Sequence, residues 1–194
     1  PKQHADSQHE KVESVLQDFD LDFSLYGRTH TKYNRERTLD IFKQLYRNGY
    51  IAEKEQELPY CTNCERFLPD RYIECECPHC GGLARGDQCD DCGELLEPEE
   101  IIEPYCTICE ESAIEFHTTK NLFLELGKFE EALEQWLEEE RPIPENQMEE
   151  VTNLIEEGLE DRCITRDIDW GFPVPWEDLE GLDDTYEEKV LYVW

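Results

Sequence analysis

The chain has 194 residues, with 49 acidic against 18 basic side chains and a formal charge of −31. Hydrophobic residues at 38% and aromatics at 11% exclude a disordered acidic tail and a low-complexity spacer. No apolar run reaches the ~18 residues that span a bilayer, so no membrane partner is expected. The acids are spread along the chain rather than gathered in a tail. Self-repulsion of this size disfavours a compact state in dilute buffer, and molar salt shortens the Debye length to ~3 Å. A halophilic protein of a salty cytoplasm is the simplest reading. No charged-then-apolar leader is visible, and no methionine precedes Met148. The sequence therefore reads as an internal piece of something longer.

In chain order, Val12, Val15, Leu16 and Phe19 recur at helical spacing over residues 8–19. A turn-rich stretch follows through Gly27. Leu39, Phe42, Leu45 and Tyr46 repeat the helical pattern over residues 35–48, and Gly49 stands where a left-handed residue would end it. Arg28, Lys32, Arg35 and Arg37 lie close together here. A solvated helix face is the preferred reading of these residues, with contact between Arg28, Arg35 and Arg37 and RNA phosphate the alternative. From Tyr60 to His117 apolar periodicity vanishes and cysteine, glycine and proline take over. Such a segment builds little apolar core. Residues 123–140 read as helix, with Phe129, Leu133, Trp136 and Leu137 on one face. Arg141-Pro142-Ile143-Pro144 breaks it. Asn146 and Glu149 form a capping-box-like start to another helix carrying Met148, Val151, Leu154, Ile155 and Leu159. Residues 162–176 read as loop, and Lys189–Trp194 as a strand.

Eight of the ten cysteines form four C-x-x-C pairs: Cys61/Cys64, Cys77/Cys80, Cys89/Cys92 and Cys106/Cys109. Each pair lies in a turn that lets two thiolates face one ion. Zinc takes four such ligands tetrahedrally, so eight cysteines predict two closed structural Zn2+ sites with no open position for catalysis. Disulfides would need an oxidising compartment. A redox C-x-x-C is usually single, and four thiolates could also hold iron. The inner two pairs are eight residues apart and the outer two 41 apart. Nested and sequential pairings are both open on spacing alone. Cys75 reads as a bystander thiol, Cys163 as a packing residue and His79 as solvent-facing.

Several runs are similar to a known family. Phe67-Leu68-Pro69-Asp70-Arg71-Tyr72, Cys77-Pro78-His79-Cys80, Ala84-Arg85-Gly86-Asp87-Gln88-Cys89 and Leu95-Leu96-Glu97-Pro98 resemble the zinc-bearing connective insert of archaeal-type methionyl-tRNA synthetases. Tyr26-Gly27-Arg28-Thr29 and Leu45–Ile51 look like the approach to that insert. Ile164-Thr165-Arg166-Asp167, Asp169–Pro175 and Tyr192-Val193-Trp194 look like the return from it. Departures are Cys75, where the family often has glycine, and the acidic stretch 138–146.

The resemblance implies an α/β fold: part of a class I nucleotide-binding, Rossmann-like catalytic domain interrupted by a zinc-knuckle connective domain. It divides the chain into residues 1–59, the end of the first catalytic half; 60–117, the zinc-binding insert; and 118–194, the helical return and start of the second half. It implies nested knuckles. It further implies an aminoacyl-tRNA ligase that activates methionine with ATP and Mg2+, then charges the 3′ end of tRNA(Met). The insert would position the acceptor end. Arg166 matches a family arginine near the active site, where a guanidinium anchors carboxylate or phosphate. Its bland reading is a loop salt bridge with Asp167 or Asp169. Arg162 is a weaker candidate. Trp194 matches the tryptophan of the methionine pocket, whose ring suits a thioether. The HIGH-type and KMSKS-type signatures are expected outside these residues, in the remainder of the same chain, so this stretch alone is expected to be inactive. The competing reading is a free-standing zinc-ribbon adaptor that binds RNA or protein.

Overall fold

The computed structural model describes the chain except residues 1, 22, 70, 71, 86, 87, 95, 97–100, 141–143, 193 and 194. Helix α1 spans Lys2–Asp18 and α2 spans Lys32–Arg47. Thr31 caps α2: its hydroxyl accepts from the Asn34 N–H at 3.1 Å, and its backbone is extended. Gly49 ends α2 at φ +74°, with the Tyr50 N–H returning to the Leu45 carbonyl at 3.0 Å, as its left-handed placement predicts. The apolar stripe of α1 is not used for packing. No residue of that helix is buried, and Phe19 is 75% exposed.

Strand β1, Ile51–Cys61, pairs antiparallel with β7, Ile114–Leu124, along eleven consecutive partners from Ile51↔Leu124 to Cys61↔Ile114. This two-stranded ribbon runs across the expected boundaries at 59/60 and 117/118. Short strands flank it: β2, Arg66–Phe67, beside β1, and β8, Arg162–Cys163, beside β7. At its far end sits a second antiparallel sheet. Its order is β5 (Gln88–Cys89), β4 (Leu83–Arg85), β3 (Ile73–Glu76), β6 (Ile102–Cys106). At its near end a small sheet orders β10 (Phe172–Pro173), β11 (Val190–Leu191) and β9 (Thr165–Arg166). Gly171 is needed there, since a Cβ would come within 2.5 Å of the Val190 side chain.

The apolar core lies at the ribbon's near end. Phe42, Leu122, Val174, Leu179, Tyr186 and Leu191 are buried together. The two clusters at the far end are small and mostly cysteine: Cys75, Cys77, Ala84, Cys89 and Leu96 in one, Cys61, Leu68, Ile73 and Cys106 in the other. Hydrophobic burial alone gives these lobes little stability.

Three expectations need correction. Residues 123–140 are not one helix. Phe123 and Leu124 close β7, a 3-10 turn covers Leu126–Phe129, and α3 starts at Glu130 and runs to Glu140. Cross-strand pairing with Ile51 and Ala52 outweighs the helical pattern there. Leu137 is buried, yet Trp136 is 48% exposed. Helix α4, Glu145–Glu156, begins after extended Pro144 without a side-chain cap, so the Asn146/Glu149 box is not what starts it. The stretch 162–176 is not plain loop, because β8, β9 and β10 lie within it. The terminal strand is seen as Val190–Leu191, and Trp194 lies outside the described residues.

Candidate metal centres

Each C-x-x-C pair occupies one tight turn, and the turns share a backbone device. The residue after the second cysteine is left-handed in all four: Glu65 (φ 51°), Gly81 (71°), Gly93 (79°) and Glu110 (60°). In three of them its N–H returns to the carbonyl of the first cysteine: Gly81 to Cys77 at 2.9 Å, Gly93 to Cys89 at 3.0 Å, Glu110 to Cys106 at 2.8 Å. The turn leaves other N–H groups aimed at sulfur. His79 donates to Cys77 Sγ, Gly82 to Cys80 Sγ, Asp91 to Cys89 Sγ and Cys64 to Cys61 Sγ, each at 3.4 Å. The first cysteine of every pair is buried.

The sulfurs gather as two quartets. Cys61, Cys64, Cys106 and Cys109 form the outer one, and Cys77, Cys80, Cys89 and Cys92 the inner one, with all four ligand atoms of each within 4.8 Å of one another. The arrangement is therefore nested, not sequential. Outer contacts are 3.6 Å for Cys61–Cys109 and 3.9 Å for Cys64–Cys106. Inner contacts are 3.8 Å for Cys77–Cys92 and 3.6 Å for Cys80–Cys89. A tetrahedron with Zn–S bonds of about 2.3 Å has edges of about 3.8 Å. Both quartets match that edge, so both can hold a metal ion.

Crowding splits the thiol acidities. Burial, then hydrogen bonds with Cys109, Cys61 and Cys106, push Cys64 up to about 12. Cys109 is pulled down to about 6, first by a hydrogen bond from Asn63. In the inner quartet the Cys92 backbone N–H leads in pulling Cys89 down to about 7. The Gly82 N–H pulls Cys80 down, but contact with Cys89 and desolvation outweigh it and leave Cys80 up at about 12. A divalent ion bound by each quartet would end that competition by holding all four as thiolates.

The other cysteines stay outside. Cys75 is buried in β3 and donates to the Ala84 carbonyl at 3.7 Å; Cys163 donates to the Thr165 carbonyl at 3.4 Å. His79 is exposed. At the near end Arg166 donates to the Thr165 carbonyl at 2.9 Å and lies 5.4 Å over the Tyr192 ring. Among the described residues no carboxylate pairs with it. Asp167 is taken by Lys189, a buried ammonium that also donates to Thr119 at 2.8 Å. That pair was not visible in the sequence. Neither was the cleft of about 250 Å³ between Thr29, His30, Asn34, Trp170, Phe172 and Tyr192, in which His30 stacks on Trp170 at 4.2 Å. The basic group near α2 is largely paired: Arg28 with Asp6, Lys32 with Glu36, and Arg37 with Asp40. Arg35 and Arg162 are exposed.

A mixed α/β base thus carries two four-cysteine lobes on a ribbon. The chain belongs to the class I tRNA synthetases (M), whose family description matches residues 1–194. Among curated relatives, the methionine–tRNA ligase of Pyrobaculum islandicum is 40% identical over 100% of this chain and 33% of its own length. That of Methanopyrus kandleri is 43% identical over 100% of this chain and 28% of its own. The chain thus spans about a third or less of these relatives' length. A solved Mycobacterium tuberculosis methionyl-tRNA synthetase, in complex with methionyl-adenylate, superposes with a TM-score of 0.58 at 19% identity. It covers 94% of this chain and 30% of that one, and it shares the fold. Among the described residues no helix is long and apolar enough to cross a membrane.

Proposed function

We propose that this chain is a segment of a methionine–tRNA ligase, an enzyme that activates methionine with ATP and Mg2+ and charges the 3′ end of tRNA(Met). Full-chain similarity to methionine–tRNA ligases at about 40% identity carries the reading. In it, residues 60–117 are the zinc-binding connective domain, between the two halves of the catalytic domain at 1–59 and 118–194. Cys61, Cys64, Cys106 and Cys109 hold one Zn2+, and Cys77, Cys80, Cys89 and Cys92 the other. Each ion is structural, since four thiolates close its coordination. The ribbon then holds the knuckles over the active centre, where they help position the acceptor end.

Arg166 supplies a guanidinium without a carboxylate partner among the described residues, suited to the carboxylate of methionine or a phosphate of ATP. Trp194 contributes an aromatic wall for the thioether. The remainder of the chain supplies the phosphate-handling groups, so residues 1–194 alone are inactive. A cytoplasmic, salt-adapted setting fits the charge. The test is methionine-dependent pyrophosphate exchange and tRNA(Met) charging by the intact gene product. Exchange with methionine and not with other amino acids is expected; its absence overturns the reading. Arg166→Ala should lower exchange by ~10²-fold or more if the guanidinium meets charge that develops in the reaction.

A further inference from the structure

Three rings meet on one face of the ribbon, near its far end. Tyr60 and His117 stack at 4.4 Å with 15° between planes. Phe67, on the neighbouring strand β2, meets both edge-on, at 5.3 Å from Tyr60 and 6.3 Å from His117. All three are only half-buried, and the His117 side chain is 42% exposed. A Glu115 carboxylate oxygen accepts from its Nε2 at 3.1 Å. An imidazole stacked on one side, fixed at its edge and wet elsewhere is a stacking platform with ring surface to spare.

The same face leads to the near end. Side chains alternate along a strand, so His117 and Thr119 share a face about 6.6 Å apart. Thr119 touches both Asp167 and Lys189, next to Arg166. The rings therefore share a strand face with the Thr119–Asp167–Lys189 contact, two residues along β7. The lysines of β1 and β7 add no free charge to this face. The ribbon's lysines are already paired, Lys54 with Asp161 at 2.5 Å and Lys120 with Glu53 at 3.1 Å. The chain as a whole is strongly acidic. Stacking of bases on aromatic rings needs no cation and survives high salt, whereas phosphate contacts weaken as salt rises.

We propose that Tyr60, Phe67 and His117 form a stacking site for an unpaired nucleobase of the tRNA 3′ end. This rests on the ligase reading above and names the residues by which the ribbon would hold that end. Phe67 orients the other two rings, and His117 offers the outer face.

The test uses the intact enzyme with His117→Leu and Tyr60→Leu, which keep apolar area but remove the ring, and with His117→Trp, which restores one. The substrates are a tRNA(Met) transcript and the same transcript with an abasic residue at one of its 3′-terminal positions. Expected is a roughly ten-fold or larger loss of charging kcat/KM in the leucine variants, with recovery in His117→Trp. Methionine-dependent exchange, which needs no tRNA, stays within about two-fold, and zinc content is unchanged. The loss persists with similar size across the molar potassium chloride concentrations at which the fold is stable. In the leucine variants at least one abasic position causes no further loss. Unchanged charging, a loss that matches the loss of exchange, or losses additive with every abasic position overturns the platform. Absence of exchange in the unaltered enzyme overturns the ligase reading itself, and the platform with it.

Discussion

Lys189 is 2% exposed, and its ammonium is held between Asp167 and Thr119. Removing one member of a buried pair strands the other, so Lys189→Met should destabilise the fold by about 3 kcal/mol. Equilibrium urea unfolding in concentrated salt would measure it. Tyr186 is fully buried and donates to Glu53 at 2.6 Å. That bond, then the one from Lys120, holds the Glu53 carboxyl below its ordinary value of 4.5. A depressed folded pKa stabilises the protein above pH 4.5, and the gain is lost as pH falls through the lower folded value. Tyr186→Phe should therefore cost about 1 kcal/mol at pH 7, at the low end for a charged hydrogen bond because Glu53 is partly in water. The difference from the unaltered protein should shrink as acid protonates Glu53, which chemical denaturation at a series of pH values would show. Neither pair was legible in the sequence. Lys189–Asp167 and Tyr186–Glu53 are partners 22 and 133 residues apart, joined only once the small near-end sheet meets the ribbon.

Four knuckles use one turn, yet two place glycine and two glutamate at its left-handed position. A Cβ is penalised there, so Glu65→Gly and Glu110→Gly should each stabilise by about 0.5–1 kcal/mol, while Gly93→Ala should destabilise by about 1 kcal/mol. Thermal unfolding with zinc present would rank them. The cysteine spacing made these turns readable, since each quartet is a local motif repeated. Cys106→Ser should lower zinc to about one ion per chain by native mass spectrometry, whereas Cys75→Ser should leave both, because its sulfur faces the Ala84 carbonyl. The ribbon was harder to see. Six charged residues in β1 and β7, among them Glu53, Lys54 and Lys120, interrupt the alternation that would mark a half-buried strand. Phe123 and Leu124 meanwhile carried a helical pattern forward that strand pairing overrules.

At the scale of the molecule the −31 charge dominates. Folding concentrates it, and salt screens it, so stability should rise steeply between dilute buffer and molar potassium chloride. Circular dichroism during a salt titration would follow this; a fold equally stable in dilute buffer would contradict the salt-adapted reading. The family-like runs around Cys77–Cys89 implied the class of fold, and the cysteine pairs the two metal lobes. The apolar stripe of α1 was legible too, but its use was not: Val12, Val15 and Phe19 remain exposed. Periodicity reports which face is apolar and says nothing of what that face meets.

The outer quartet sits where the ribbon ends, with Cys61 opposite Ile114 and the Cys61 and Cys109 sulfurs 3.6 Å apart. It acts as a clasp that brings the two ends of the 41-residue excursion together. Loop length beyond a clasp changes closure entropy only slowly. The inner lobe is thus a cartridge: a change in its length leaves the register of the stem beneath it set by the clasp.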